Sequence, residues 1–440
     1  MPATTPRLYG VPAATIGRGH GVTEFDVVVV GAGSAGLGVG YHLKMAGLEF
    51  VIVERGEIAE TWRAQRWDSF ALNTPNWMNG LPGSPYADAD PDGFLLREEL
   101  IASWEQHAAD HELPIRVGTT VEQVTPEAGS DRFLVHTLDR SGSRRSLSSG
   151  NVIVASGMMQ SPKVPALTER FPESFTQIHA ADYRSPAALP EGAVVVIGSG
   201  QSGCQIAEDL VGAGRTVYLC TSRVARLPRR YRGRDATEWM SALGLFDTRL
   251  ADLPDPAMQF AAQPQVSGVG RRGKTVSLQA MHRQGIRLMG RLSDVADGVL
   301  TTDDSLSAHI SFADEFSADF KREVDAFIEM KGLDATAPTE DPNDAPAGPE
   351  VGDAGLASLD LAAAEVNTVI WCTGFTANFD WLDLPVTDDR GKPVHDRGVS
   401  PVPGIYFVGF PWLHTRKSGL IFGIDDDARH VTEAITARMN

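Results

Sequence analysis

Short apolar runs alternate along this chain with stretches of helical spacing. Val27-Val28-Val29-Val30, Phe50-Val51-Ile52-Val53, Val194-Val195-Val196-Ile197 and Thr216-Val217-Tyr218-Leu219-Cys220 are apolar at nearly every position. Runs of that length predict parallel strands buried on both faces. Further strands are predicted between Val121 and Val135, over Asn151–Ala155, over Val369–Cys372 and over Ile405–Val408. Helical patterns follow the first and third of the four runs, cover Arg97–His107 and close the chain. Residues 332–364 are rich in Pro, Ala, Gly, Asp and Glu without periodicity, and read as a mobile loop or surface insertion.

Two of the runs end in the same signature. Val30 is followed by Gly31-Ala32-Gly33-Ser34-Ala35-Gly36, and Ile197 by Gly198-Ser199-Gly200-Gln201-Ser202-Gly203. In a strand–turn–helix setting the first Gly permits the tight turn and the second admits a pyrophosphate to the backbone. The third lets helix and strand pack closely, and the helix N-terminus presents N–H groups to the phosphate charge. Two copies predict two dinucleotides, each in its own domain.

The copies diverge where the ribose is read. Eighteen residues past Gly36 stands Glu54, followed by Arg55. A carboxylate there suits the free hydroxyls of an unphosphorylated ribose, as in FAD or NAD. The same offset past Gly203 gives Thr221, then Ser222 and Arg223, with Arg226, Arg229, Arg230, Arg232 and Arg234 beyond. No acid there would repel a 2′-phosphate, and a hydroxyl with a guanidinium would bind one. The alternative for these arginines is a solvated basic face. The first domain is therefore expected to hold FAD and the second NADPH, with Arg229 and Arg230 added to the phosphate site.

Composition narrows the possibilities only a little further. A chain of 440 residues has room for two or three cores. A net charge of −18 speaks against nucleic acid and against a polybasic membrane contact. Residues 1–23 carry no signal-peptide pattern and read as a partly ordered arm, so a cytoplasmic location is the expectation. Cys204, Cys220 and Cys372 form no C-x-x-C pair and fall in segments that read as buried. This argues against a dithiol reductase. No metal site is expected: Asp425-Asp426-Asp427 lies at the start of the last helix, where acids complement the helix dipole.

The predicted fold is α/β, with two Rossmann-like dinucleotide-binding domains and the NADPH domain inserted into the FAD domain. The boundaries expected are 24–160 and 367–440 for the FAD domain and 161–366 for the NADPH domain, with the Val369–Phe375 strand marking the return.

Both fingerprints, the strand-end turns Ala155-Ser156-Gly157 and Cys372-Thr373-Gly374-Phe375, and the linker before the second fingerprint resemble the class B flavin-dependent monooxygenases of the flavin-containing and N-hydroxylating kind. The linker match is partial. His179, Tyr183 and Arg184 take the His, aromatic and basic positions, while Glu173 and Phe175 replace the usual Phe and Gly. The resemblance implies that NADPH reduces FAD, that the reduced flavin and O₂ form a C4a-(hydro)peroxyflavin, and that one oxygen atom passes to a small organic substrate. Tyr183-Arg184 favours oxygenation at N or S over Baeyer–Villiger oxygenation of a ketone. An electron-transfer reductase or oxidase is the alternative, and a homodimer is left open.

The resemblance also implies site residues. Trp62 lies beside the flavin, Val121 meets the adenine, Gly157 and Gly409 close strand ends over the FAD, and His179 holds the hinge. Asn73 is the candidate that hydrogen-bonds the flavin-bound oxygen species, with a turn before Pro75 as the plainer role. Trp77, Met78, Phe410 and Trp412 are candidates for lining the substrate pocket, and the stretch His414–Gly419 for approaching the flavin from its far side.

Overall fold

The computed structural model describes residues 8–9, 22–266, 268–348, 351 and 355–440. Most of the N-terminal arm expected over 1–23 lies outside them. Leu8–Tyr9 pairs antiparallel with Ile115–Arg116, and Thr23 already opens the first long strand.

The first sheet runs in the order Leu8–Tyr9, Ile115–Arg116, Phe50–Val53, Thr23–Val30, Arg144–Val154, Phe133–Asp139, Thr119–Pro126, with Ile405–Phe407 added beside Arg144–Val154. Its centre is parallel, as the continuous apolar runs require. Val27 and Val29 pack into one core cluster and Val28 and Val30 into another, so this strand is covered on both faces. The second sheet is wholly parallel, in the order Arg287–Met289, Val217–Cys220, Ala193–Ile197, Val366–Trp371, Thr176–His179. The chain thus leaves the first sheet after Val154, completes the second, and returns at Ile405.

That topology corrects the expected boundary at residue 367. Val366–Trp371 lies between Ala193–Ile197 and Thr176–His179, inside the second sheet. A central parallel strand has the same apolar pattern whichever sheet receives it, so periodicity alone does not assign it.

Residues 332–364 are also corrected, as far as they are described (349, 350 and 352–354 are not). They follow a helix over Leu306–Lys331 that the sequence reading did not assign. The described part before 349 is anchored. Asp344 is 8% exposed and pairs with Arg226 and with Lys321, while Asp341 accepts from Thr275 and Asn343 O from Ser277. Asp344 neutralises the buried Arg226 guanidinium, which a composition argument for a loose loop overlooks. Ser358–Asp360 then forms the edge of a three-stranded antiparallel sheet with Val299–Thr302 and Leu292–Ala296.

Candidate dinucleotide and interdomain site

The three glycines of each fingerprint separate by what surrounds them. Gly31 has φ +112°, and a Cβ there would lie 2.6 Å from Ala155 O. A Cβ on Gly36 would lie 1.8 Å from Gly31 O, which is the close helix–strand approach itself. Gly33 is different: its backbone is extended at φ −84°, and a Cβ would meet nothing within 4 Å among the described residues. The second fingerprint repeats this. Gly198 has φ +103° with Cys372 O at 2.6 Å from the added Cβ, Gly203 is closed by Gly198 O at 1.8 Å, and a Cβ on Gly200 would meet nothing within 4 Å among the described residues. Each turn therefore leaves one seat at a helix N-terminus, before Ser34–Met45 and before Gln201–Gly212, where a pyrophosphate fits. Ser34, Ala35, Gln201 and Ser202 form the first turns of those helices.

Glu54, at the end of Phe50–Val53, reaches back to the first turn. Its carboxylate accepts from Ala32 N at 2.8 Å and from Gly56 N at 2.9 Å, and burial raises its pKa. A carboxylate offers about four lone-pair positions, so acceptor capacity remains for ribose hydroxyls. Arg55 beside it is exposed. Gly409, with φ +83°, would place a Cβ 2.4 Å from Ala35 Cβ, so the turn after Ile405–Phe407 rests directly on the fingerprint helix. Gly157 is also left-handed, at φ +71°. Val121 lies half-buried in Thr119–Pro126.

On the second domain Ser222 and Ser199 hold each other: Ser222 N donates to Ser199 Oγ at 2.9 Å. Arg223 is exposed, lies 3.6 Å over the Phe312 ring, and has no carboxylate partner among the described residues. Arg229 corrects the sequence reading. It is 1% exposed, pairs with Asp235, donates to Asn73 O and Val266 O, and is not available to a nucleotide phosphate. Arg226 is likewise buried between Asp314 and Asp344. Arg230 is exposed and donates to Arg272 O at 3.1 Å.

The linker joins the two sheets. His179 Nδ1 accepts from Ala181 N at 3.1 Å, so its Nε2–H donates to Gly374 O at 3.0 Å, and burial lowers its pKa. Tyr183 is fully buried, packs on Trp67, and donates to Asp209 Oδ2 at 2.6 Å, in the second fingerprint's helix. Arg184 donates to Ala181 O, Tyr183 O and Ala64 O, tying the linker to the first domain.

Asn73 stands at the same junction. Its Oδ1 accepts from Gln205 Nε2 at 3.2 Å and its carbonyl from Arg229, while its amide N–H groups have no partner among the described residues. Gln205 was not foreseen. Its place one helical turn beyond Gln201, on the face shared with the fingerprint, was the available signal. Trp62 is half-buried, edge-on to Phe70 and Trp104. Two pocket candidates are corrected: Met78 and Phe410 are 1% and 2% exposed, and Phe410 packs on Phe379 and Phe407. Trp77 packs on Phe422, and Trp412 holds φ +60°.

A family model described as pyridine nucleotide-disulphide oxidoreductase matches residues 28–284, more than half of the chain. The chain belongs to that family. A Geobacillus kaustophilus protein of this kind, called an uncharacterized oxidoreductase CzcO-like, is 30% identical over 93% of this chain and 98% of its own length. An Arabidopsis thaliana relative, named as probable indole-3-pyruvate monooxygenase YUCCA3, is 25% identical over 93% of this chain and 86% of its own. Among solved structures, a flavin-containing monooxygenase from Stenotrophomonas maltophilia superposes with a TM-score of 0.62 at 20% identity, covering 95% of this chain and all of that one. This oxidoreductase therefore has the fold of the flavin monooxygenases. Its three cysteines are free, and burial pushes the thiols of Cys220 and Cys372 up to about 12.

Proposed function

We propose that this oxidoreductase is an NADPH- and O₂-dependent flavin monooxygenase that transfers one oxygen atom to a small organic molecule, at nitrogen or sulfur. The observation that carries the reading is the pair of open glycine seats on one chain, one bordered by the Glu54 carboxylate and the other by the Arg223 guanidinium, which has no carboxylate partner among the described residues. Those residues fit FAD and NADPH respectively. The monooxygenases among its relatives support the assignment.

Bound FAD would supply hydride acceptance and oxygen activation; this chain's residues would bind, orient and shield. Gly31, Gly33, Gly36 and Glu54 hold the first dinucleotide, and Gly198, Gly200, Gly203, Ser222 and Arg223 the second. His179, Tyr183 and Arg184 set the angle between the two. Asn73, with Oδ1 engaged by Gln205, keeps its two amide N–H groups for an oxygen atom bound at the junction of the two domains.

The test is stoichiometric. Purified protein should oxidise NADPH with matching O₂ uptake and yield oxygenated product from a panel of amines, thioethers and ketones, with indole-3-pyruvate included. NADPH oxidation that gives only hydrogen peroxide with every compound, or that proceeds without O₂ by reducing an added acceptor, would replace this reading by the electron-transfer one.

A further inference from the structure

The Trp- and Arg-rich stretch after Thr61 contains a charge that the proposed chemistry does not use. Arg66 is 9% exposed, yet no carboxylate pairs with it among the described residues. Its guanidinium donates to Gln65 O at 2.8 Å and approaches Met159 Sδ at 3.0 Å. It lies 5.3 Å from the Trp62 ring centre and 5.6 Å from that of Phe70. A guanidinium carries five N–H donors, so one carbonyl and one thioether leave most of them unanswered. Burial lowers its pKa to about 10. Beside it, Gln65 Oε1 and Trp67 Nε1 are buried without a hydrogen-bond partner among the described residues.

Contrast the other buried arginines. Arg226 meets Asp314 and Asp344, and Arg229 meets Asp235. Buried charges are ordinarily paired, because the lost hydration is not recovered otherwise. Two aromatic faces recover part of it.

The location adds meaning. Arg66 follows the helix Glu60–Ala64, which begins where Ala59 N donates to Ala32 O inside the first fingerprint. Met159 follows the Ala155–Gly157 turn, which closes over Gly31. Trp67 packs on the linker residue Tyr183, and Arg184 reaches Ala64 O. Arg66 therefore sits at the carboxyl ends of the first sheet's strands, against the linker to the second, where open α/β sheets take ligands.

We infer that Arg66 recognises an oxyanion, phosphate or carboxylate, carried by a ligand bound where the first sheet meets the linker to the second. The inference rests on the reading of that junction as ligand-bearing, and is independent of oxygen transfer.

The full-length protein is compared with Arg66→Met, which keeps an apolar stem without charge, and Arg66→Lys, which keeps charge without the planar fork. Four readouts are taken: flavin content after desalting, NADP⁺ affinity by perturbation of the flavin spectrum, and melting temperature in sulfate and in acetate against chloride at equal ionic strength. The expected result is that Arg66→Met folds with a ligand-free melting temperature no lower than wild type. It should lose tenfold or more in at least one anion response, with Arg66→Lys intermediate. Loss confined to FAD or to NADP⁺ assigns the anion to that dinucleotide's phosphates, and loss confined to acetate assigns it to a carboxylate. If Arg66→Met does not fold, Arg66→Lys carries the same four readouts. Unchanged responses to all four ligands overturn the inference, whatever happens to stability. Wild-type protein that binds FAD and NADP⁺ but yields no oxygenated product removes the proposed function while leaving these arms intact.

Discussion

Replacing Gly33 by valine separates the seat for the pyrophosphate from the fold that builds it. The residue is extended at φ −84° and ψ −170°, a conformation valine adopts freely, and an added Cβ meets no atom of the described residues within 4 Å. The ligand-free variant should therefore differ from wild type by no more than about 0.5 kcal/mol, or roughly 2 °C in melting temperature. FAD should suffer far more. The valine methyls occupy the space through which phosphate oxygens reach the N–H groups of the helix start. Losing two charge-assisted contacts of about 1.5–3 kcal/mol each weakens binding by roughly 10²–10⁴-fold. The assay is flavin absorbance per protein after desalting, together with melting curves with and without added FAD. Wild type should melt higher in FAD by mass action, and Gly33→Val should not. Gly36→Ala is the control: its Cβ would fall 1.8 Å from Gly31 O, so that variant should lose the fold itself. A yellow, fully loaded Gly33→Val protein, or one that unfolds as readily as Gly36→Ala, refutes the reasoning.

Arg223→Ala should weaken NADPH binding by roughly ten- to hundredfold and leave NADH nearly unchanged, as measured by titration of each nucleotide; equal weakening of both would remove Arg223 from the phosphate site. Arg229→Ala, by contrast, should cost about 3–5 kcal/mol in denaturant unfolding, because it strands the buried Asp235 carboxylate. Asn73→Ala should keep FAD and NADPH affinity but lower oxygenated product per NADPH by about tenfold or more, hydrogen peroxide accounting for the difference; unchanged coupling would assign Asn73 to the turn alone. Burial raises the Asp427 carboxyl from 3.8 to about 6, with Ser418 donating to it. The unfolded chain loses that proton first, so wild-type stability falls as pH rises through this window. Asp427→Asn should remove the fall and be more stable above it by on the order of 3 kcal/mol, with no advantage below it; parallel pH profiles would count against a buried acid there.

The fingerprints were legible in the sequence because their physics is local. Gly31 needs a left-handed φ, Gly33 needs nothing over it, and Gly36 needs no side chain, and a handful of consecutive residues states all three. Parallel strands buried on both faces are equally plain as apolar runs, so the two Rossmann-like sheets could be read before either was seen. The helix Leu306–Lys331 was legible too, with Leu306, His309, Ile310, Ala313, Ser317, Phe320 and Val324 recurring on its buried face. What no local pattern carries is the partner of a charge or the sheet that receives a strand. Arg223, Arg226 and Arg229 look alike along the chain; tertiary structure alone brings Asp314, Asp344 and Asp235 to two of them and leaves the third against Phe312. In the same way Val366–Trp371 could have joined either sheet, and Asn73 acquires an oriented amide only when Gln205 arrives from 132 residues away. Backbone geometry and burial propensity are properties of short segments, whereas pairing energies depend on which distant groups the finished fold brings within reach.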